Sequence, residues 1–260
     1  MIHIDQAMRE VRLTKPVSRI VCLVPSITEL LSDLGLDDRI AGITKFCIHP
    51  EHLFRNKTKV GGTKNVNHEK IKALQPDLII ANKEENIKKD IELLEKEFPV
   101  WMSDISNFED ALSMIHEIGQ LTDTSIKADL LIDNIRMAFQ GLLPFNNKSV
   151  LYLIWNNPYM AAGKNTYIAN MLSLCDLHNC ICNERYPEVD GSLIKELNPE
   201  LVFLSSEPFP FNEEHIHELQ QLLPESNVIL VDGEYFSWYG SKMLRAPQYF
   251  NSLQKTIFAN

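Results

Sequence analysis

Apolar positions along this chain alternate between short solid runs and longer stretches in which they recur every three or four residues. Residues 19–24 form a run rich in β-branched side chains that stops at Pro25, the pattern of a buried strand. Ile27, Leu30, Leu31 and Leu34 then follow at helical spacing. Ser26 and Glu29 stand in capping-box register, which makes Ser26 the expected N-cap, and Gly35 is placed to end the helix. Further strands are expected at 40–43, 78–81, 100–102, 150–154, 201–204 and 228–231. Helices are expected at 87–98, 167–175, 213–223 and about 241–258. Strands alternating with helices predict an α/β fold with parallel sheets covered on both faces.

The alternation is written twice. Ile71-Lys72-Ala73-Leu74-Gln75-Pro76-Asp77-Leu78-Ile79-Ile80 resembles Ile194-Lys195-Glu196-Leu197-Asn198-Pro199-Glu200-Leu201-Val202-Phe203, an offset of 123 residues. In each copy a helix ends before proline, an acidic residue follows, and a buried strand begins. The offset is close to half the chain, so a duplication is favoured over chance reuse of a common αβ joint. Between the copies, Phe108, Ala111, Leu112, Ile115 and Ile118 make one helical stripe, and Thr124 can cap a second helix carrying Ile126, Leu130, Leu131, Ile135 and Phe139. The expected organisation is an N-terminal αβ lobe at 1–105, a helical connector at 106–146 and a C-terminal αβ lobe at 147–260. No flexible linker composition separates the lobes, so a stiff helical crossover is expected.

Charge narrows the choice of partner. The 260 residues carry a net charge of −10, which argues against a nucleic-acid binder, whose footprint is basic. No apolar run approaches the roughly 18 residues that span a bilayer. Five cysteines, an odd number, make no disulfide framework. The first ten residues lack the charged-then-apolar pattern of a secretory leader. A cytoplasmic protein is expected if this start is the native one, and a periplasmic one if a leader has been removed.

Catalytic templates are missing. No G-x-G-x-x-G follows a strand, Gly61-Gly62-Thr63-Lys64 lacks phosphate-loop spacing, and His116-Glu117 lacks the second histidine of a zinc protease. No nucleophile, acid and base set is legible, so no enzyme and no resident cofactor are expected. Cys47-Ile48-His49-Pro50-Glu51-His52 concentrates metal-ligating types, and Cys47 with His49 is the candidate metal pair, although structural C-x₂-C spacing is absent. Cys175, ending an apolar helix face, reads as a small buried hydrophobe, and His215 and His217 read as solvated.

Ring-bearing and polar residues recur just beyond strand ends. These are Pro25 and Ser26; Phe46, Cys47 and His49; Asn82, Glu84, Glu85 and Asn86; Trp155, Asn156, Pro158, Tyr159 and Met160; Glu207-Pro208-Phe209-Pro210-Phe211; and Tyr235, Phe236, Trp238 and Tyr239. In αβ sheets ligands bind beyond the carboxyl ends of strands, so two such lobes predict a ring-lined interlobe cleft for a large, flat, partly apolar ligand.

Residues 19–31, Leu34-Gly35-Leu36, Val60-Gly61-Gly62 and the stretch 71–86 together resemble the Fe/cobalamin periplasmic-binding family, the helical-backbone substrate-binding proteins of ABC importers. Asn157-Pro158-Tyr159, Gly163-Lys164 and residues 197–202 look most like its cobalamin-binding branch, and the resemblance spans about residues 10–255. It implies two Rossmann-like αβ lobes joined by one long helix, with cobalamin, haem or an iron–siderophore complex held between them. It also implies delivery to a membrane permease that grips one acidic residue on each lobe, for which Glu85 and Glu207 are the candidates. Where the cobalamin binders place an aromatic after the third strand, this chain has Asn82, and the leader or lipid-anchored cysteine of those proteins has no counterpart in this sequence. The ligand-contact candidates are Pro25, Ser26, Phe46, His49, Glu85, Trp155, Tyr159, Arg185, Glu207, Trp238, Tyr239 and Arg245. In that scheme aromatic faces cover the macrocycle, Arg185 or Arg245 pairs with its peripheral acidic groups, and His49 approaches the metal. The alternatives are a direct metal-ion binder using Cys47, His49, His52 and Glu84 or Glu85, and a cytoplasmic corrinoid storage or sensing protein.

Overall fold

Five strands of the first half lie side by side in the order Thr58–Lys59, Ile40–Ile43, Ile20–Cys22, Leu78–Asn82, Val100–Ser103, and every pairing is parallel. The computed structural model describes residues 1–259, which form two units. The first comprises Met1–Ile105, Glu109–Ile135 and Tyr239–Lys242; the second comprises Ser106–Phe108, Arg136–Trp238 and Met243–Asn260.

In the first unit, alternation along the strands sends Val21, Leu23, Ile79 and Ala81 to one face and Ile20, Cys22 and Ile80 to the other. Both sets are buried, so the sheet is covered on both sides, as a parallel sheet requires. The chain runs outward from Ile20–Cys22 through Ile40–Ile43 to Thr58–Lys59, then returns to the other side of Ile20–Cys22 as Leu78–Asn82. The carboxyl ends of Ile20–Cys22 and Leu78–Asn82 are therefore the point where strand order reverses, the usual ligand position in such sheets.

The helix after the first strand begins two residues earlier than its capping-box spacing suggests. It spans Pro25–Asp33, with Val24 as N-cap and no side-chain cap, so Ser26 lies inside the first turn. Pro25 has no N–H to satisfy and its fixed φ suits the first helical position, which removes the need for a capping hydroxyl. Gly35, at φ +81°, ends this helix as expected.

The second sheet runs Glu188–Val189, Tyr159–Ala161, Lys148–Trp155, Leu201–Ser205, Asn227–Val231. Lys148–Trp155 pairs in parallel with Leu201–Ser205 and with Leu177–Asn179, but antiparallel with Tyr159–Ala161. The sheet is thus mixed, where the sequence pattern suggests a parallel one. The turn after Trp155 is too short for a crossover helix, so the next strand can only fold straight back.

Two helices, Phe108–Leu121 and Ser125–Phe139, fill the middle of the chain. Asp123, at φ +57°, separates them. The second is about 22 Å long at ~1.5 Å per residue, and the boundary between units falls within it, after Ile135. The C-terminal helix is shorter than its apolar pattern suggests. A 3₁₀ turn at Ser241–Leu244 precedes Ala246–Phe258, because Pro247 is tolerated only in a first helical turn.

Candidate functional site

At the first sheet's reversal point, Asn82 is buried at the end of its strand and its side chain organises the loop that follows. Its Oδ1 accepts from the backbone N–H groups of Glu84 (2.8 Å) and Glu85 (3.0 Å), and its Nδ2 donates to Ser103 Oγ at 3.0 Å. The Asn82 N–H donates in turn to Asn86 Oδ1 (2.8 Å), and Asn86 Nδ2 donates to the Thr63 carbonyl at 3.1 Å. This Asx turn fixes where Glu84 and Glu85 emerge. The Tyr239 hydroxyl, on the segment that belongs to this unit, donates to Glu85 Oε1 at 3.1 Å. Burial pushes the Tyr239 phenol well above its ordinary pKa, and the nearby Glu85 charge adds to the rise. The next residue is Gly240, at φ +99°, and a Cβ there would lie 3.3 Å from Leu30 Cβ. Glycine permits both the dihedral and this close approach to the helix Pro25–Asp33.

Pro25 is half-buried and Ser26 buried beside this loop region, while Phe46 is 50% exposed with Lys45 Nζ 4.9 Å from its ring centroid. Cys47 turns inward: its Sγ lies 3.2 Å from both the Thr28 and Thr44 hydroxyls, and burial raises its thiol pKa. His49 is exposed, and His52 Nε2 pairs with Asp37 Oδ2 at 2.6 Å. Among the described residues no three His, Cys, Asp or Glu side chains gather closely enough to hold a metal ion.

In the second unit the loop after Leu201–Ser205 carries Glu207, whose Oε1 accepts from Ser237 Oγ (2.7 Å) and from Trp238 Nε1 (2.9 Å). Burial raises the Glu207 pKa above the usual carboxylate value, and these two donors oppose the rise. Ser205 Oγ donates to the Glu207 carbonyl at 2.6 Å and accepts from the Tyr152 hydroxyl at 3.2 Å, which ties the loop to the core.

The rings divide into two groups. Trp238 and Tyr239 are 8% and 6% exposed and act as internal donors, so they do not present open faces. Trp155 is 40% exposed and meets Phe209 at 5.7 Å between centroids. Phe209 contacts Phe211 at 4.8 Å, and both contact His215, at 5.3 and 5.2 Å. His215, expected to be solvated, is instead half-buried among rings, and its Nδ1 takes part in the capping box of the helix Glu213–Leu222. No spacing rule reveals that partnership, although Asn212 preceding a run of helix formers is a visible N-cap signal. Tyr159 is half-buried; burial and the neighbouring Glu218 carboxylate push its phenol up to about 12. Arg185 is exposed and its Nη1 donates to the Asn165 carbonyl at 2.9 Å, while exposed Arg245 sits at the N-cap of the last helix.

A family model described as "Periplasmic binding protein" matches residues 20–223, most of the chain. The chain belongs to the periplasmic binding protein family. A relative named vitamin B12-binding protein, from Vibrio parahaemolyticus, is 26% identical over 199 residues, covering 74% of this chain and 72% of that protein. The Bacillus subtilis protein YvrC, named an uncharacterized ABC transporter substrate-binding lipoprotein, is 26% identical over 212 residues, covering 76% and 67%. The solved structure of the periplasmic haem-binding protein HutB of Vibrio cholerae superposes with a TM-score of 0.78 at 22% identity, over 92% of this chain and 98% of that one. That likeness establishes the shared fold. Within this member of the family, the carboxyl edge of each sheet carries its own set of candidate residues: Pro25, Ser26, Phe46, Glu85 and Tyr239 in the first unit, and Trp155, Tyr159, Glu207 and Trp238 in the second.

Proposed function

We propose that this protein is the substrate-binding component of an ABC-type importer and that its cargo is a corrinoid or a related planar metal chelate, held by the carboxyl-edge loops of its sheets. It performs no chemistry on that cargo and needs no resident cofactor. The observation that carries the reading is the exposed Trp155 ring packed on half-buried Phe209, at a sheet edge where this fold binds ligands, in a chain related to a vitamin B12-binding protein. Aromatic faces suit a flat, partly apolar macrocycle, and Arg185 or Arg245 suits its peripheral acidic groups. Phe46 and His49 are the candidate contacts from the first unit.

The importer reading includes a permease partner and a working place outside the cytoplasmic membrane. No helix among the described residues is long and apolar enough to cross a membrane. Glu85 and Glu207 are the carboxylates we assign to permease contact; both are half-buried and each already accepts a hydrogen bond from a neighbouring ring system.

Calorimetric titration of the protein with cyanocobalamin, haemin and a ferric siderophore tests the reading. One of them is expected to bind at one equivalent with micromolar or better affinity, and Trp155→Ala to weaken it by roughly 1–2 kcal/mol. Absence of heat and of fluorescence change with all three at tens of micromolar rejects it.

A further inference from the structure

Cys180 and Cys182 stand two residues apart where the strand Leu177–Asn179 gives way to a loop. Ile181 between them is buried in the second unit's core, so its two neighbours turn outward: Cys180 is half-buried and Cys182 is exposed. The backbone on either side is pinned. The Cys180 N–H donates to the Val150 carbonyl at 2.9 Å, and the Ile181 N–H donates to Asn179 Oδ1 at 3.1 Å, an Asx turn that bends the chain at Cys180. Beyond the pair, the Asn183 carbonyl accepts from the Lys164 N–H at 2.7 Å, and a Cβ on Gly163 would lie 2.2 Å from that same oxygen.

Two thiols so placed are within bridging reach. Consecutive Cα atoms are about 3.8 Å apart, which keeps those of residues 180 and 182 within about 7 Å, the upper end of the span a disulfide closes. A bridge over so short a stretch, anchored at both ends, is strained, and strained or exposed disulfides are the readily reduced ones. The two thiols differ in character. Solvent reaches Cys182 directly, whereas burial raises the Cys180 pKa and the neighbouring Cys182 sulfur adds to the rise. Among the described residues no third ligand joins them to make a metal site.

We propose that Cys180 and Cys182 form a thiol–disulfide exchange site whose substrates are low-molecular-weight disulfides, with Cys182 as the attacking thiol and Cys180 as the resolving one. The Cys182 thiolate attacks one sulfur of R–S–S–R and expels RS⁻, leaving a mixed disulfide on the protein. The Cys180 thiolate then attacks Cys182 Sγ, expels the second RS⁻ and closes the intramolecular bond. The chain gives up two electrons and two protons, the small disulfide becomes two thiols, and a dithiol drives the reverse. The site is independent of what the cargo is.

The test treats the native full chain with one equivalent of 5,5′-dithiobis(2-nitrobenzoate) and follows thiolate colour and intact mass. The parent is expected to release both halves of the reagent, retain neither, and weigh less by two hydrogens; dithiothreitol should restore the mass. Cys180→Ser should release one half and keep the other, while melting within a few degrees of the parent. Cys182→Ser should react at least roughly tenfold more slowly, because only the half-buried thiol remains at the site. A parent chain that keeps a reagent fragment, or does not react, overturns the proposal. So does a Cys180→Ser chain that sheds its fragment as the parent does.

Discussion

Asp77 and Glu200 hold the same place one repeat apart, each clamping the start of the central strand of its unit's sheet. Asp77 Oδ2 accepts from the Ser18 N–H (3.0 Å), the Ser18 hydroxyl (2.6 Å) and the Arg19 N–H (3.0 Å), and Oδ1 faces Lys15 Nζ at 2.6 Å. Glu200 Oε2 accepts from the Ser149 N–H (2.9 Å) and hydroxyl (3.3 Å), and Oε1 faces Lys148 Nζ at 2.8 Å. The preceding helices are built alike as well. Asn67 and Asp190 cap His68–Leu74 and Gly191–Leu197 through side-chain oxygens, and Gln75 and Asn198 end them in the left-handed conformation at φ +47° and +39°. The faint sequence repeat is thus a structural one.

Acid should loosen the first unit through Asp77. Burial alone would raise its pKa, but Lys15, Ser18 and the backbone N–H groups hold it down to about 2. A carboxyl whose pKa is depressed by folding stabilises above its unfolded value, and that contribution disappears as pH falls from about 4 to about 2. Asp77→Asn should lose about 2 kcal/mol at pH 7 in urea unfolding, with the difference closing over that acid window. Glu200, mostly exposed, is expected to show a smaller loss.

Glu207 should behave in the opposite sense. Its pKa is raised by burial, so ionisation opposes folding and stability gains as pH drops through the folded value. Glu207→Gln keeps an oxygen for Ser237 and Trp238 and removes the charge. The variant is expected to melt at or above the parent temperature at pH 7, with the gap narrowing toward pH 4 in differential scanning calorimetry. Trp238→Phe, which removes one of the two donors to the buried carboxylate, should instead lose about 1–3 kcal/mol.

Thiol chemistry should rank by burial. Cys182 is exposed, whereas Cys22, Cys47 and Cys175 are buried with raised pKa values, Cys175 at about 12. Labelling of the native protein with a coloured disulfide reagent should modify Cys182 within minutes. Cys22, Cys47 and Cys175 should react only in denaturant.

Tryptophan emission should isolate one site. Trp101 and Trp238 are buried, so acrylamide should quench mainly Trp155. Trp155→Phe is expected to remove most of the quenchable intensity. Cargo-induced quenching that survives unchanged in this variant would contradict contact at that ring.

Most strands were legible because a fully buried strand must be a solid apolar run, as residues 78–82 and 201–205 are. The repeat was legible because helix ends and strand starts need particular residues, a left-handed cap, a proline and an acid, in order. The small hairpins were not. Gly61–Gly62 pairs with Asn65–Val66 through backbone contacts, and a Cβ on Gly61 would meet Asn65 O at 2.3 Å, a constraint invisible in an apolar pattern. Of the candidate site, the loop positions of the rings and carboxylates were legible from the strand ends, but the burial of Trp238 and Tyr239 depends on acceptors 31 and 154 residues away. The ring contacts of His215 and the two threonine hydroxyls around Cys47 come from neighbours that no spacing rule ties to them.

Trp238 and Tyr239 are consecutive, yet one bonds Glu207 and the other Glu85. Each ring answers to a carboxylate of its own unit. Replacing Trp238 should therefore cost the Glu207 bond of the second unit, and replacing Tyr239 the Glu85 bond of the first.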